Sequence, residues 1–320
     1  LMLSSWVGEV LGEDGSTYQA EAHRSFSIEN AVIDVGEGQG PFLGWIAVSE
    51  GRIQALGSSN ESKPEVAERL DASGLWLTPG IIDVHSHLGD YPSPSYRAHS
   101  DGNEATSPVT AEVWAEHSVW PQDPQFPLAL AGGVTALQIL PGSANLFGGR
   151  SVVLKNVWSR TVQGMKFPGA PYGLKMACGE NPKRVYGSKS QSPATRMGNF
   201  AGYRKAWIDA QEYQKKWQRY ERSLNEYVAW ESTKSGSDYK TRPSPPKRNL
   251  QMETLVGVLE GEILVHNHCY RADEMAQIID LSQEFNYQVT AFHHAVEAYK
   301  IGDLLAANNV CAAMWADWWQ

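Results

Sequence analysis

The sequence lacks long hydrophobic runs and an excess of positive charge. No segment of its 320 residues reaches the roughly 18 uninterrupted apolar residues that a membrane-spanning helix needs. The net charge of -9, without a stripe of lysine and arginine, argues against a nucleic-acid partner held through its phosphates. These absences favour a soluble enzyme, and the length allows one large domain plus a smaller module.

Cysteine is also scarce. Cys178, Cys269 and Cys311 are far apart, odd in number and without a Cys-x-x-Cys pair, which predicts neither a disulfide framework nor a thiolate zinc site. We expect each of them to be a small buried residue. The opening Leu1-Met2-Leu3 is too short and uncharged to indicate a secretory signal, so the sequence leaves the compartment open between cytoplasmic and periplasmic or secreted.

Residues 77–88 carry the strongest functional signal. A Pro-Gly turn at 79–80 opens into an apolar run with strand character, and this run ends in His85 and His87. Side chains two residues apart on a strand point to the same face, so the two imidazoles would lie side by side. Such a pair is half of a metal site.

The motif Pro-Gly-Ile-Ile-Asp-x-His-x-His at 79–87 resembles the first barrel strand of the amidohydrolase superfamily, whose members hydrolyse C–N and related bonds with one or two divalent metal ions. The resemblance implies a (β/α)8 TIM-type barrel of the α/β class, in which His85 and His87 bind the more buried metal. Further segments, at 140–156, 179–186 and 195–199, resemble an imidazolonepropionase-like subgroup of unassigned substrate, and the similarity spans nearly the whole chain.

Residues 26–75 differ from the sequence that follows. Short β-branched segments alternate with glycine-rich turns, and the segment at 50–57 predicts a hairpin. We therefore expect a small β module before the barrel. By resemblance, residues 1–79 form the N-terminal part of a β-sandwich that strands from the end of the chain complete.

Residues 80–320 alternate apolar strands with helices, which predicts parallel βα units closed into a barrel. After the first strand, we expect strands at 133–140, 172–179, 263–268, 287–294 and 310–316, and helices at 126–131, 272–285 and 297–307.

The longest predicted helix covers 201–232, and an apolar, mostly aromatic stripe follows its helical period. Such a stripe is more typical of core packing than of a ligand cradle. Residues 234–249, rich in Ser, Pro and Lys, predict a surface loop. Together these segments predict an insertion near 190–250, and the stripe consists of Trp207, Ala210, Tyr213, Trp217, Tyr220, Leu224 and Val228.

Two later strands end in histidine pairs, as a metal site on the carboxyl ends of barrel strands requires. On the first, the choice lies between His266 and His268, and the following Arg-Ala-Asp-Glu resembles a family segment that favours His268. On the second, neighbouring side chains of a strand point to opposite faces, and the family's His-Gly/Ala-x-Glu pattern favours His294. His293 is then expected to pack outward.

The resemblance also implies a bridging ligand, usually a carboxylated lysine or a glutamate. Lys175 lies inside an apolar strand, where an unpaired ammonium is costly, and this favours it as the ligand. Glu180 lies nearer the end of that strand and remains the alternative.

Residues 140–156 are glycine-rich between apolar runs but lack the Gly-Lys-Ser/Thr spacing of a phosphate loop. We expect this segment to be a loop that lines the substrate pocket. The candidate pocket residues are Asn145, Lys155, Lys183, Arg184 and Arg196, and the four basic side chains would suit an anionic substrate.

One part of the family's site is absent from the expected pattern. An aspartate from the eighth strand should bind the metal and take a proton from the attacking water, but the strand count ends near the seventh. Asp317 is the only late candidate and comes too early in that count. We therefore expect a barrel truncated at its C-terminus, with an open edge.

The expected function is metal-dependent hydrolysis of a non-peptide C–N bond in an amide, cyclic amide or amidine. Zn²⁺ is the expected metal, as one or two ions, because imidazole-rich sites suit it. The expected partners are a small-molecule substrate and a second copy of the chain, with no nucleic acid or membrane. The alternatives are a dipeptidase or deacetylase on the same fold and an inactive metal-binding or binding protein.

Overall fold

The structure, a computed structural model, describes residues 15–20, 24–233, 236 and 239–315. Two β-sheets organise this part of the chain. One is built from residues that precede Gly80 and the other from residues that follow it. The second sheet positions the candidate site.

The first sheet has five strands. β2 pairs antiparallel with β1 and β3, whereas β4 and β5 pair parallel with successive parts of β1. The hairpin predicted at 50–57 is confirmed as β2–β3, which turns at Glu50 and Gly51 with positive φ at both residues. No second layer that would make a β-sandwich is present among the described residues. The strands are β1 (Phe26–Ile33), β2 (Phe42–Ser49), β3 (Arg52–Ser58), β4 (Glu68–Asp71) and β5 (Trp76–Leu77).

The second sheet is a nearly closed barrel of the TIM type. Its seven strands follow one another in sequence order, and in the described ranges the two edge strands, β6 and β12, do not pair with each other. All neighbours are parallel except around β8. The strands are β6 (Ile81–Ser86), β7 (Val134–Ile139), β8 (Phe147–Lys155), β9 (Gly173–Ala177), β10 (Leu264–His268), β11 (Val289–His293) and β12 (Cys311–Ala313).

β8 corrects part of the prediction of a pocket loop at 140–156, since residues 140–146 form neither a strand nor a helix. Residues 147–155 form a mostly buried strand that pairs antiparallel with both β7 and β9. The glycines suggested a loop, but one of them is required by close backbone packing. Gly149 has φ +118°, and a Cβ atom there would lie 2.5 Å from the carbonyl oxygen of Val113. A glycine in the sequence can therefore indicate either a loop or a close backbone contact inside a strand.

The described residues form six α-helices and four short 3₁₀ turns. The predicted helices at 126–131, 272–285 and 297–307 are confirmed, the last beginning with a 3₁₀ turn. None of the helices in these ranges has the length and apolar character needed to cross a membrane. The helices are α1 (Gln125–Ala131), α2 (Glu180–Gly187), α3 (Arg196–Thr233), α4 (Leu250–Leu259), α5 (Ala272–Phe285) and α6 (Gly302–Ala307), and the 3₁₀ turns are Arg97–His99, Ala115–His117, Val162–Gly164 and Ala298–Ile301.

Helix α3 confirms the long predicted helix and corrects part of its stripe. Trp207 and Ala210 are fully buried in the main core, in contact with α4 and the barrel strands. Tyr213 is partly buried against the same core, whereas Val228 is 53% exposed. Core packing therefore explains the first half of the stripe. The 38-residue helix extends past the barrel, so its second half is largely on the surface.

The prediction that no disulfide forms is wrong for one pair. Cys178 and Cys269 form a disulfide, with Cα atoms 5.2 Å apart. The two residues are 91 positions apart in sequence, but the parallel register pairs Ala177 of β9 with His268 of β10, which makes the following residues neighbours. Both are buried as expected, whereas Cys311 is exposed on β12.

Replacing both bridged residues, as Cys178→Ala/Cys269→Ala, is expected to lower the free energy of unfolding by about 2–4 kcal/mol, because the crosslink restricts a long loop in the unfolded chain. Urea unfolding of the two forms measures the difference. Cys311→Ala is the control and should unfold like the wild type. Equal unfolding midpoints for the double variant and the wild type would contradict the bridge.

Candidate metal centre

Six imidazoles and one amine meet inside the barrel near the carboxyl ends of its strands. We call this group the histidine centre. Four strands supply it: β6, β9, β10 and β11 with the residues that follow them. Its members are His85, His87, Lys175, His266, His268, His293 and His294.

The histidines of the first motif lie at the end of β6. His87 donates a hydrogen bond from Nδ1 to the carbonyl oxygen of Leu140, at 2.7 Å. This bond fixes the tautomer and leaves the lone pair of Nε2 available, as in many metal-binding histidines. His85 lies 5.1 Å from His87 between ring centroids, and its Nδ1 is 2.9 Å from Nδ1 of His293.

Both histidines of β10 point into the barrel, because they are two residues apart on one strand. His268 has Nδ1 3.1 Å from Nε2 of His294, and its Nε2 has no hydrogen-bond partner in the described part of the chain. His266 lies nearer the amino end of β10. Its Nδ1 is 2.9 Å from Nε2 of His293, and its Nε2 is 3.0 Å from the amide nitrogen of Gln138. The sequence favoured His268 over His266, but both side chains belong to the histidine centre.

The prediction that His293 packs outward is wrong. His293 is 1% exposed and contacts both His85 and His266. Alternation fails because β11 ends at His293, and His294 adopts φ +42°, outside the extended region. The change in backbone direction lets two adjacent side chains face the same centre.

Lys175 lies in the middle of β9, fully buried. Its Nζ has no hydrogen-bond partner among the residues that the structure describes. Burial lowers the pKa of this amine to about 7. A large share of the amine is therefore neutral at physiological pH, which suits a residue that binds or is modified at a metal centre.

Burial is also the largest cause of a lowered pKa at every histidine of the centre, and the nearby Lys175 ammonium acts in the same direction. The imidazoles are therefore neutral at pH 7, the form in which they bind metals. The pKa is about 4 for His87 and His266, about 3 for His294 and about 2 for His293, and it is lowered strongly for His85 and His268.

The donors fit a zinc ion, although they contact one another in pairs. Across the described residues, no three His, Cys, Asp or Glu side chains are already arranged as a metal cage. The His85–His293 and His268–His294 nitrogens instead lie 2.9 and 3.1 Å apart. Two nitrogens that bind one tetrahedral zinc lie roughly 3.3 Å apart, so small rotations of the rings would accommodate the metal.

The alternative bridging residue, Glu180, contacts a basic side chain, and its role as a ligand stays a prediction. It is the first residue of α2 and forms an ion pair with Arg196 at 3.2 Å. Arg196 also pairs with Glu274 at 2.9 Å, so its charge is balanced within the protein. Lys183 and Arg184 lie on α2, which begins just after β9 ends, and their substrate role stays a prediction.

Two of the predicted pocket residues, Asn145 and Lys155, are held by contacts within the protein, and their substrate role stays a prediction. Asn145 is 2% exposed, and its side chain contacts Glu104, Thr110 and Tyr186. Lys155 pairs with Ala136 near the start of β7, at the barrel end opposite the histidines, because β8 runs antiparallel. Lys155 is the last residue of strand β8 and not part of a loop, whereas Asn145 precedes that strand. Asp317 lies outside the described residues.

Three aromatic residues surround the histidines and were not predicted. The ring of Tyr270 lies 4.5 Å from that of His268, and Tyr91 lies 5.9 Å from His87. Trp315 lies 5.4 Å from His85. Aromatic surroundings of this kind limit the access of water and keep the imidazoles neutral. Of the three, Tyr270 lies between His268 and the Arg-Ala-Asp-Glu segment that the sequence singled out.

The fold and the centre together define a TIM-barrel protein with a histidine-rich candidate metal site. A comparison with known family descriptions finds no match. The crystal structure of an amidohydrolase from Thermotoga maritima is 36% identical and superposes with a TM-score of 0.76, over 91% of this chain and 70% of that one. This chain belongs to the amidohydrolases.

Two curated relatives agree with this family. Amidohydrolase tasK of Hapsidospora irregularis is 33% identical over 281 residues, which are 84% of this chain but 28% of tasK. Imidazolonepropionase of Bradyrhizobium sp. is 31% identical over 121 residues, 31% of this chain and 28% of that protein. The chain thus spans less than a third of the length of either relative.

Proposed function

We propose that this protein is a metal-dependent hydrolase that cleaves a non-peptide C–N bond in a small amide, cyclic amide or amidine. One observation carries the proposal: His85, His87, His268 and His294 meet around Lys175 at the carboxyl ends of the barrel strands. A binding protein that kept these residues for packing would have no reason to gather them. Membership of the amidohydrolases supports the same conclusion.

We assign the metal to these four histidines, with His293 as a further nitrogen donor. Zn²⁺ suits a set of neutral imidazoles. When bound, such an ion would supply Lewis acidity, lowering the pKa of its water from 15.7 to roughly 7 and polarising the substrate carbonyl. The protein orients the ring of His87 through Leu140 and excludes bulk water with Tyr91, Tyr270 and Trp315.

Lys175 is proposed as the bridging ligand in its carboxylated form. The neutral amine attacks carbon dioxide, a C–N bond forms, and one proton is released to solvent, which gives a carbamate anion. The lowered pKa of Lys175 supports this assignment, because only the unprotonated amine is a nucleophile. The anion would balance the charge of the metal.

The domain boundary is also a proposal. We divide the chain into residues 1–79 and 80–320 because one sheet ends at Leu77 and the other begins at Ile81. We propose that the first sheet is one layer of a β-sandwich. Apolar side chains that remain on its surface support a covering layer, among them Leu43 at 54% exposed, Ile53 at 62% and Trp76 at 64%.

Metal content tests the proposed function directly. Wild-type protein offered zinc is expected to hold about one or two ions per chain, and His85→Ala/His268→Ala is expected to lose them, because two of the nitrogen donors are gone. Plasma mass spectrometry measures the metal, and circular dichroism checks the fold. His117→Ala removes a histidine that is 70% exposed and outside the centre, and it should keep the full metal content.

Hydrolysis of amides, cyclic amides and amidines is then assayed with the wild type and the double variant. Activity in the wild type, with none in the double variant, would support the proposal. A folded wild type that binds no zinc, or a double variant that keeps it, would overturn the assignment of the metal.

A further inference from the structure

A large cavity lies beside the histidine centre, on the side of His87. Its volume is about 770 Å³. Its wall includes Asp90, whose backbone nitrogen donates to the carbonyl oxygen of His87 at 3.1 Å. It also includes Pro141, which follows the Leu140 that holds the His87 ring. The residues that position His87 therefore also shape this cavity.

The wall is strongly acidic. Four carboxylates line it, from Asp90, Asp101, Glu104 and Glu112, and no lysine or arginine does so among the described residues. Arg150 is buried, and its guanidinium carbon lies 4.2 Å from the ring centroid of Trp114, a wall residue, but Arg150 itself is not part of the wall. A ligand in the cavity would thus meet negative charge.

None of these four carboxylates forms an ion pair within the described part of the chain. Glu112 accepts a hydrogen bond from the Gln251 amide at 3.1 Å. The described residues therefore supply no ion-pair partner to these carboxylates, and the wall's one histidine, His117, pairs with Glu116 instead.

The side chain of Asp90 provides a second observation, independent of the charge of the wall. It is 0% exposed, and Oδ1 accepts from the Ser118 hydroxyl at 2.9 Å, but Oδ2 has no hydrogen-bond partner among the described residues. A buried carboxylate oxygen without a partner is costly, and a cation in the cavity would remove this cost.

We propose that the cavity binds a positively charged organic group of the substrate, such as an ammonium, guanidinium or amidinium. The inference rests on the proposed function, since it assigns this cavity to the substrate handled at the histidine centre. The volume favours an organic group over a bare metal ion, because about 770 Å³ is within the usual size of a small-molecule pocket. This proposal replaces the anionic substrate expected from the basic residues.

The test uses two probes of the same shape and different charge, Nα-acetyl-arginine methylamide and the neutral Nα-acetyl-citrulline methylamide. Isothermal titration calorimetry on zinc-free protein at low salt separates this binding from metal chemistry. The arginine probe is expected to bind at least about tenfold more tightly than the citrulline probe. Zinc-free His268→Ala should keep this preference, so the result does not depend on whether the histidine centre binds metal.

Variants test whether the preference for the arginine probe depends on the cavity. Asp90→Asn and the exposed Asp101→Asn are each expected to reduce the ratio of the two affinities severalfold. Asp101→Asn keeps the test valid if the buried substitution disturbs folding. Glu37→Gln removes an exposed charge in the first sheet's turn and should leave the ratio unchanged.

Three results would overturn the proposal: equal affinities for the two probes, no binding of either probe by the folded protein, or a ratio that Asp101→Asn and Glu37→Gln change equally. Titration with calcium chloride completes the experiment. Calcium binding in the absence of any arginine-probe binding would identify an inorganic cation site and would also overturn it.

Discussion

Replacing Lys175 by methionine is expected to stabilise the metal-free protein and to remove its hydrolytic activity. The Lys175 amine is fully buried without a hydrogen-bond partner in the described residues, and such a group costs about 1–3 kcal/mol. Methionine has a similar length and no polar hydrogen, so the free energy of unfolding should rise by about that amount. Activity should fall more than about 100-fold, since the bridging ligand is lost.

The pH dependence of stability gives this prediction a second measurement. The pKa of Lys175 is about 7 in the folded protein and 10.5 in the unfolded chain, so between these values the unfolded state binds more protons. The stability of metal-free wild type should therefore gain a contribution as the pH rises from about 7 to 10.5, and Lys175→Met should lose that contribution.

Lys155→Met is the matched control for both measurements. The Lys155 ammonium lies over Phe167 at 4.5 Å and over Tyr18 at 4.8 Å, so its replacement removes favourable contacts and should not stabilise the protein. Urea unfolding of the two EDTA-treated variants, together with their zinc-dependent turnover, makes the comparison. A less stable or fully active Lys175→Met would refute a role for this lysine as a strained, functional residue.

The sequence predicted the parts of the fold that depend on local pattern. The hairpin at Glu50 and the helix at 272–285 follow from turn chemistry and from helical period, which neighbouring residues determine. The position of His85 and His87 at a strand end follows in the same way. These elements need no information about distant contacts.

The errors share a different cause, because each depended on a contact distant in sequence. The disulfide forms only through the β9–β10 register, and β8 is a strand through its pairing with β7 and β9. His293 faces inward because β11 stops one residue earlier than the alternation assumed. Boundaries and registers of this kind are set by tertiary packing, which a single sequence does not encode locally.

The histidine centre should make the metal-free protein sensitive to mild acid. The pKa of His87 and of His266 is about 4 in the folded protein, against 6.5 for the model imidazole, and the other histidines of the centre shift in the same direction. As the pH falls below 6.5, the unfolded chain takes up protons that the folded protein does not, so the stability contributed by the neutral imidazoles declines between about pH 6.5 and 4. The total loss is expected to be several kcal/mol, since a shift of one pKa unit corresponds to about 1.4 kcal/mol.

Urea unfolding of EDTA-treated protein at a series of pH values from 7.5 to 4.5 measures this loss, and His266→Gln isolates one contribution to it. Glutamine keeps a polar group that can contact Gln138 and His293 but cannot take up a proton, so the variant should lose less stability than wild type over the same range. His117→Ala changes a histidine outside the centre and should follow the wild type. If His266→Gln declined as steeply as the wild type, His266 would make no contribution to the acid sensitivity. Zinc binds only unprotonated imidazole, so the loaded wild type should remain folded to a lower pH than the metal-free protein.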